Sequence, residues 1–283
     1  MGLDIASAEF LYSECQRGLK LGRLLVLGRQ MAHLYHKDII DRIEAWCGVR
    51  LENTKPVDDF YRALGATEIN YLDYSDFEGA TLVHDLNQPL PERYHERFDT
   101  VIDGGTMEHV FQYPTALKSC MQAVTLGGSI ILITPATNMM GHGFYQFSPE
   151  LFFRVFSQNN GYELGRILLW HANSWYHVAD PESIRGRAEL RTSKWGELCV
   201  SAKRIQIREI FASPPLQSDY VTEWSGNDVK RRSGPSLMSR LAMATPHSIR
   251  RLVDPFIFPI RKSVHYPRIG STLISKPNPK ELF

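Results

Sequence analysis

The sequence predicts an α/β protein with a doubly wound, mostly parallel sheet of seven strands. Short apolar runs alternate with helical apolar spacings up to about residue 155, which is the alternation of βαβ units. Two more strands, over 161–170 and 197–205, follow as a closing antiparallel hairpin joined by a long polar loop. Prolines then interrupt every pattern. We therefore expect a main domain over residues 1–212 and a basic, proline-rich extension over residues 213–283.

The first five strands are predicted where short runs of Val, Ile and Leu end at a polar residue or a glycine. They are Leu24–Leu27, Glu68–Leu72, Ala80–His84, Phe98–Ile102 and Ser129–Thr134. Helices are predicted where apolar residues recur three or four positions apart. They cover residues 4–18, Lys37–Trp46, Val57–Leu64 and Pro114–Thr125, and a further helix begins at Ser148, with Ser as N-cap and Pro149 at its first position. The step from Asp73 to Asp85 leaves no room for a helix.

The composition is that of a globular protein, with 43% hydrophobic and 22% charged residues. Its four cysteines are widely spaced and form no C-x-x-C pair, so they indicate neither a zinc site nor a disulfide framework. We find no apolar stretch of about 18 residues and no secretory signal at the amino terminus, and we expect a cytoplasmic protein.

The net charge of +1 hides a division along the chain. Residues 225–283 carry 11 basic and 3 acidic side chains, whereas residues 1–224 carry 21 and 28. A basic amphipathic segment over residues 229–262 can contact an anionic membrane at its inner face. It can equally form an arm that packs on the acidic body or joins an oligomer. The acidic main domain argues against nucleic-acid binding.

The stretch around Asp103 is the most informative part of the sequence. A short apolar strand ends at Asp103, two glycines open the backbone, and Glu108-His109 follow. This stretch resembles the fourth-strand segment of class I S-adenosylmethionine (SAM)-dependent methyltransferases. A second stretch, from His142 to Phe147-Ser-Pro-Glu150-Leu, is similar to the His-x-x-x-Phe-(Ser/Thr)-Pro-Glu-x-Leu segment after strand 5 of many of these enzymes.

The resemblance covers about residues 15–206. It implies a Rossmann-like, seven-stranded methyltransferase sheet whose last strand is antiparallel, with SAM as the cofactor. It also implies that Asp73 binds the ribose hydroxyls, that Asp85 and its neighbour Asn87 address the adenine, and that Asp103 lies close to the methyl group. Isolated Asp residues are also common in turns and helix caps, which is the alternative for Asp73 and Asp85.

The first loop departs from the family pattern. Gly28-Arg29-Gln30 stands where Gly-x-Gly-x-Gly is expected, so only Gly28 of the expected glycines is present. Arg29 places a cation beside the expected sulfonium, or it pairs with the carboxylate of SAM. A second hypothesis is therefore a non-catalytic binding or scaffold protein that keeps the fold but no longer binds SAM.

The strongest candidate for a catalytic base is His142, and His109 is the second choice, because an imidazole can take a hydroxyl proton near neutral pH. Glu108 is expected to cap or orient, and Asn138 and Tyr145 to line the acceptor pocket. A hard metal ion would need clustered oxygen ligands. Asp103 and Asn138 are two candidates without a clear third, so we expect no metal.

The loop after Trp170 mixes aromatic residues with arginines, among them Trp175, Arg185, Arg187 and Arg191. This mixture suits a sugar or a phosphorylated acceptor, and it equally suits a solvated loop with one aromatic plug. Together with a loose similarity to methyltransferase-like proteins of surface-polysaccharide pathways, it leads us to predict methylation of a hydroxyl on a small or glycan-type acceptor. A membrane-surface protein that acts through its basic tail is a third hypothesis.

Overall fold

The structure, a computed structural model, describes residues 2–35, 37–184, 187–188, 192–224 and 274–275. The strands are β1 (Gly2–Leu3), β2 (Gly22–Leu27), β3 (Met31–Ala32), β4 (Ala66–Asp73), β5 (Leu82–Val83), β6 (Phe98–Gly104), β7 (Val124–Thr137), β8 (Tyr162–His171), β9 (Ser174–Val178), β10 (Gly196–Arg204) and β11 (Ile274–Ser275). The helices are α1 (Ile5–Gln16), α2 (Lys37–Cys47), α3 (Asp58–Ala63), α4 (Tyr113–Ala123), α5 (Pro149–Val155), α6 (Pro181–Ile184) and α7 (Ser218–Trp224).

The main sheet has the order β11-β9-β8-β10-β7-β6-β2-β4-β5. Strands β5, β4, β2, β6 and β7 are parallel, and β10 runs antiparallel between β7 and β8. This is the doubly wound, Rossmann-like sheet of the methyltransferase type that the sequence predicts. Among the described residues it has nine strands rather than the predicted seven, because β9 and β11 extend its antiparallel edge. The chain winds outward from β2 to β5 and then returns to place β6 on the other side of β2. The switch in direction therefore falls between β2 and β6, and ligands bind beyond the strand ends at such a point.

Helices cover both faces of the sheet because the buried strands are apolar on both sides. In β2, Leu25 and Leu27 belong to the core under α4 and α5, whereas Leu24 and Val26 belong to the core under α1, α2 and α3. All four of these side chains are completely buried. Burying one such side chain stabilises a fold by roughly 1.5–3 kcal/mol, and the two cores together hold the sheet between its helix layers.

Two helix starts show how local sequence positions these layers. The Asp4 side chain caps α1 by accepting a hydrogen bond from the Ser7 backbone N–H at 2.8 Å. Ser148 caps α5 in the same way from the N–H of Glu150, and Pro149 occupies the first turn as predicted. Both caps satisfy backbone donors that a helix start would otherwise leave without partners.

The region between β8 and β10 differs from the long polar loop that the sequence predicts. Here β8 turns at Ala172 and Asn173, both with positive φ (51° and 56°), and continues as β9, which pairs with it. A two-residue turn with both residues at positive φ matches strand twist, but its usual sequence is Asn-Gly. The sequence Ala-Asn lacks this signal, so the hairpin is not predicted from the sequence. Strand β7 is also longer than predicted, and it begins at Val124.

Part of the predicted extension contacts the main domain. The backbone N–H of Ser218 donates to Glu150 Oε1 at 2.7 Å, and Arg187 forms an ion pair with Asp219 at 2.7 Å. Strand β11 pairs with β9. The boundary between residues 212 and 213 remains a prediction, and the whole of the predicted membrane-contacting segment 229–262 lies outside the described residues, as do Arg185 and Arg191. Within the described part of the chain, no helix has the length and apolar character needed to cross a membrane.

Candidate active site

The carboxyl ends of β2 and β6 meet at the switch in strand order. Leu27 at the end of β2 lies opposite Asp103 in β6. The next residue, Gly28, has φ of 68°, and its N–H donates to the carbonyl of Leu72 at 2.8 Å. This left-handed conformation favours glycine. The chain then enters β3, which pairs with β1, before α2 begins at Lys37.

Gln30 fills the space directly beyond Gly104. Its side chain is buried, and its Oε1 accepts a hydrogen bond from the Tyr61 hydroxyl at 3.0 Å. Its Nε2 has no hydrogen-bond partner among the described residues. A buried amide nitrogen without a partner is uncommon and calls for an explanation. The sequence reasoning missed Gln30 as a site residue, and its only signal is the position two residues after Gly28.

Asp103 is completely buried at the carboxyl end of β6. Its Oδ1 accepts hydrogen bonds from the backbone N–H groups of Thr106 at 2.8 Å and Met107 at 3.3 Å, whereas Oδ2 has no partner in the described structure. Burial raises the pKa of this carboxyl above its usual value, and the backbone N–H groups oppose that shift. Asp103 therefore shapes the turn after β6 and keeps one oxygen available.

Glu108 lies in the 3-10 turn Met107–His109 that follows this loop. Its side chain is completely buried, and neither carboxyl oxygen has a hydrogen-bond partner in the described parts of the chain. Burial, together with the nearby charge of Asp103, raises the pKa of Glu108. A buried carboxyl group without hydrogen-bond partners is energetically expensive, which makes this position a candidate for a functional role.

Two histidine rings stand over Glu108. The distance from Glu108 Oε1 is 3.4 Å to His142 Nε2 and 3.9 Å to His109 Nε2. The two ring centroids are 5.4 Å apart, and about half of each histidine side chain is exposed. Burial and the neighbouring His142 ring lower the pKa of His109. The two histidines singled out in the sequence therefore meet at one carboxylate.

The loop that carries His142 is fastened to the Glu108 turn through the backbone. The N–H of Phe144 donates to the Glu108 carbonyl at 2.8 Å. A Cβ on Gly143 would lie 2.9 Å from the same carbonyl oxygen, so the close approach requires a glycine there. A sequence that alternates Gly141-His142-Gly143 thus allows the loop to lie directly on the turn.

Glu197, at the start of β10, is a further acid and is partly buried. Burial raises its pKa to about 8, and the charges of Asp4 and Glu108 add to the shift. Its Oε2 and the Oγ1 of Thr134 are both buried without partners among the described residues. The sequence reasoning missed both residues, because each sits inside a run that predicts only a strand.

The residues expected to hold the cofactor lie along the neighbouring strand ends. The Asp73 carboxylate, at the end of β4, accepts a hydrogen bond from the Tyr74 N–H at 2.6 Å. Asp85 accepts from both the backbone and the side chain of Asn87, at 2.9 and 2.8 Å, and these bonds lower its pKa. Asn87 in turn accepts from the N–H of Gln112 at 3.0 Å. Asp85 and Asn87 thus form one unit that reaches the start of α4.

The Arg29 side chain lies against α3 and β4. Its guanidinium lies 3.6 Å from Asp58 and 5.3 Å from the centre of the Tyr71 ring, and it donates to the carbonyl of Glu78. It therefore already has a carboxylate partner in this structure. The connection between β4 and β5 contains no helix, as the short spacing predicts.

The two residues predicted to line the acceptor pocket, and Trp175 of the predicted aromatic loop, have partners elsewhere. The Asn138 side chain donates to the carbonyls of Thr192 at 2.7 Å and Lys194 at 2.9 Å. The Tyr145 hydroxyl donates to the carbonyl of Phe111 at 2.7 Å. Trp175 is buried, with its indole N–H donating to Glu9 at 2.9 Å. Trp175 thus packs in the core, whereas binding of a sugar or phosphorylated acceptor by the rest of this segment stays a prediction.

A cavity of about 320 Å³ opens near the carboxyl end of β7, at the base of the His142 loop. Its lining is mostly apolar, with a few hydroxyl and amide groups: Ala136, Thr137, Gln146, Phe147, Ser148, Pro149, Leu169, Val178, Ala188 and Leu198. A mainly apolar cavity with a few polar groups is typical of small-molecule sites.

No protein-family model and no curated protein matches the chain. Three solved structures illustrate the resemblance that is found. The branched-chain polyamine synthase of Thermus thermophilus shares 14% identity at a TM-score of 0.37, over 76% of this chain and 60% of that one. The 1,6-didemethyltoxoflavin-N1-methyltransferase of Burkholderia thailandensis, whose structure holds S-adenosylhomocysteine, shares 11% identity at a TM-score of 0.37, over 71% and 79% of the two chains. TehB from Haemophilus influenzae shares 11% identity at a TM-score of 0.37, over 69% of this chain and 61% of that one.

At these identities and scores the likenesses support no conclusion about activity. The class that the chain's own strand order defines is a Rossmann-like α/β protein of the methyltransferase type. Its function has to be inferred from the residues at the strand ends.

Proposed function

We propose that the chain is a SAM-dependent methyltransferase that acts on a small-molecule acceptor. The observation that supports this most is the placement of two buried carboxylates, Asp103 and Glu108, directly beyond the switch in strand order. In doubly wound sheets this crevice is the ligand site. SAM carries a sulfonium and an ammonium group, and buried carboxylates favour a cation in their neighbourhood.

In this proposal the cofactor lies across the ends of β6, β2 and β4. Asp73, at the end of β4, binds the ribose hydroxyls, and the unit of Asp85 and Asn87 addresses the adenine. Asp103 lies nearest to the methyl group. Gly28 lets the backbone approach the methionine portion, because a side chain at that position would hinder it.

The acceptor lies on the opposite side of the methyl group, between the Glu108 turn and the 320 Å³ cavity. Methyl transfer from a sulfonium needs mainly the alignment of acceptor, methyl group and sulfur, and the removal of one proton. His142, and after it His109, remain the predicted bases. We propose a hydroxyl of a small or glycan-type compound as the acceptor, and the mostly apolar lining favours a small one.

One observation favours the second hypothesis, a protein that keeps the fold without binding SAM. The loop after β2 continues into β3, and Arg29 is already paired with Asp58. In this arrangement no helix begins directly after Gly28 within the described residues. The carboxylate end of SAM would therefore lack the helix N-terminus that usually favours an anion.

Calorimetric titration of the purified full chain with SAM and with S-adenosylhomocysteine decides between these hypotheses. We expect micromolar binding that Asp73→Ala weakens by at least about tenfold, since two hydrogen bonds to a carboxylate stabilise by roughly 1.5–3 kcal/mol each. Asp59→Ala is the matched control, because Asp59 is an exposed carboxylate in an ion pair on α3. Absence of binding at millimolar ligand would support the non-catalytic hypothesis.

A further inference from the structure

Glu108, His109 and His142 form a group that no step of the proposed methyl transfer requires as a set. One ligand atom from each of the three side chains lies within 4.8 Å of the others. We propose that these three residues bind a divalent transition-metal ion, with Zn²⁺ as the ion that fits best. The ion would sit between the fully buried carboxylate and the two half-exposed imidazole rings.

The distances are close to those of a metal site. Metal–ligand bonds of about 2.1 Å in a tetrahedral arrangement place ligand atoms about 3.4 Å apart. Glu108 Oε1 and His142 Nε2 are already 3.4 Å apart, and Glu108 Oε1 and His109 Nε2 are 3.9 Å apart. Small rotations of two rings that are half exposed would close the remaining gaps.

The charge distribution points to a cation as the missing partner. Both oxygens of Glu108 are buried without a hydrogen-bond partner among the described residues, and so is one oxygen of Asp103. The contacts of Glu108 with the two imidazoles do not have hydrogen-bond geometry, although they are short. Buried charges are ordinarily paired or coordinate metals. A divalent ion would satisfy Glu108 from the side on which the histidines stand.

The donor set selects the type of ion. Two imidazole nitrogens and one carboxylate suit zinc and its transition-metal neighbours, whereas Mg²⁺ and Ca²⁺ prefer all-oxygen sites. From the sequence we expect no metal, because Asp103 and Asn138 are oxygen candidates without a clear third ligand. Asn138 in fact donates to the backbone carbonyls of Thr192 and Lys194, just before β10. The fold instead brings Glu108, His109 and His142 together as possible ligands.

Three protein ligands leave a coordination position open, as in catalytic zinc sites. This part of the inference rests on the proposed function. An acceptor hydroxyl bound at the open position would lose its proton to solvent more readily. As the carbon–sulfur bond of SAM breaks, the new oxygen–carbon bond forms, and S-adenosylhomocysteine leaves. In that arrangement His109 and His142 act as ligands, and the ion takes over the task predicted for a histidine base.

The test is metal binding to the full chain after treatment with a chelator. We expect calorimetry with zinc chloride to show one ion per chain, and Co²⁺ to give a visible absorption band. Glu108→Gln, His109→Ala and His142→Ala should each weaken zinc binding by at least about 10–100-fold, the loss typical even of outer-shell changes at metal sites. His84→Ala is the matched control, since its ring contacts the carbonyl of Gln88 and it follows β5, three strands away from β6 in the sheet.

Binding of zinc that is unchanged in all three variants, or no binding at micromolar zinc, would overturn the inference. Thermal unfolding of each variant separates loss of the site from loss of the fold, and Glu108→Gln keeps the shape of the side chain. SAM titrations of the same metal-free samples keep the two proposals apart. SAM binding without zinc binding overturns only the metal site, and zinc binding without SAM binding overturns only the methyltransferase.

Discussion

The side-chain amide of Gln30 occupies the place where a Cβ of residue 104 would be. An ideal Cβ built on Gly104 would lie 1.7 Å from Gln30 Nε2. Gln30 cannot easily turn away, because it is buried and its Oε1 is held by the Tyr61 hydroxyl. The loop after β2 and the end of β6 are therefore fitted to each other at the centre of the candidate site.

Gly104→Ala should destabilise the protein by about 1–3 kcal/mol, because overpacking a tight interior forces side chains out of their preferred conformations. The measurement is the free energy of unfolding by urea. Gly141→Ala is the control, since a Cβ there meets no atom within 4 Å.

The double variant Gln30→Ala/Gly104→Ala tests the cause. Removing the amide makes room for the new methyl group. The double variant should therefore lose about 1 kcal/mol or more less unfolding free energy than the sum of the losses in the two single variants. Strict additivity would show that the two residues do not oppose each other.

Glu197 should make stability depend on pH. Its pKa in the folded protein is about 8, above the ordinary value of 4.5. The folded state therefore holds a proton that the unfolded state has lost, and stability falls as pH rises from about 4.5 to about 8. Glu197→Gln should remove this loss of stability. At pH 8 the free energy of unfolding of the variant should therefore exceed that of the wild type by at least about 1 kcal/mol.

The check is urea unfolding of both proteins at pH 5 and pH 8. Glu163→Gln, an exposed carboxylate on the adjacent β8, serves as the comparison. If the difference between wild type and Glu197→Gln were the same at both pH values, Glu197 would titrate normally in the folded protein.

Asn138 should stabilise the strand ends through its position and its amide. Its φ is 54°, and its side chain donates to the carbonyls of Thr192 and Lys194. Asn138→Ala loses two hydrogen bonds and places alanine in a left-handed conformation, so we expect a loss of about 2–3 kcal/mol in unfolding free energy. Asn138→Gly loses the same bonds without the strain and should lose about 1 kcal/mol less. Equal losses in the two variants would exclude a contribution from backbone strain.

The extension can be divided by truncation. Removing residues 225–283 should leave SAM binding within about threefold of the full chain, because the residues proposed to bind SAM lie in the main domain. Removing residues 213–283 should give a lower unfolding temperature than removing 225–283, because only the longer deletion removes the contacts of Ser218 with Glu150 and of Asp219 with Arg187. Loss of SAM binding in a folded 1–224 chain would favour a function centred on the tail.

Much of the fold could be predicted from the sequence because helices and strands have different apolar periods. The long apolar run in β7 and the serine-proline start of α5 appear where expected. The β8–β9 hairpin was missed, since its turn residues Ala172 and Asn173 lack the usual glycine. The lengths of β7 and β5 were also misjudged, because strand ends depend on pairing partners rather than on local sequence.

The sequence by itself determined which strands end in polar residues, and so it named Asp73, Asp103, His109 and His142. Only the tertiary structure decided that His109 and His142, from different loops, both stand at Glu108. It also decided that Glu197 lies near the charges of Asp4 and Glu108, and that Gln30 packs against Gly104. These side-chain contacts depend on strand order, on register and on the close backbone approach at Gly143, which are properties of the packed sheet. A local pattern shows where a side chain occurs along the chain, and packing decides what it meets.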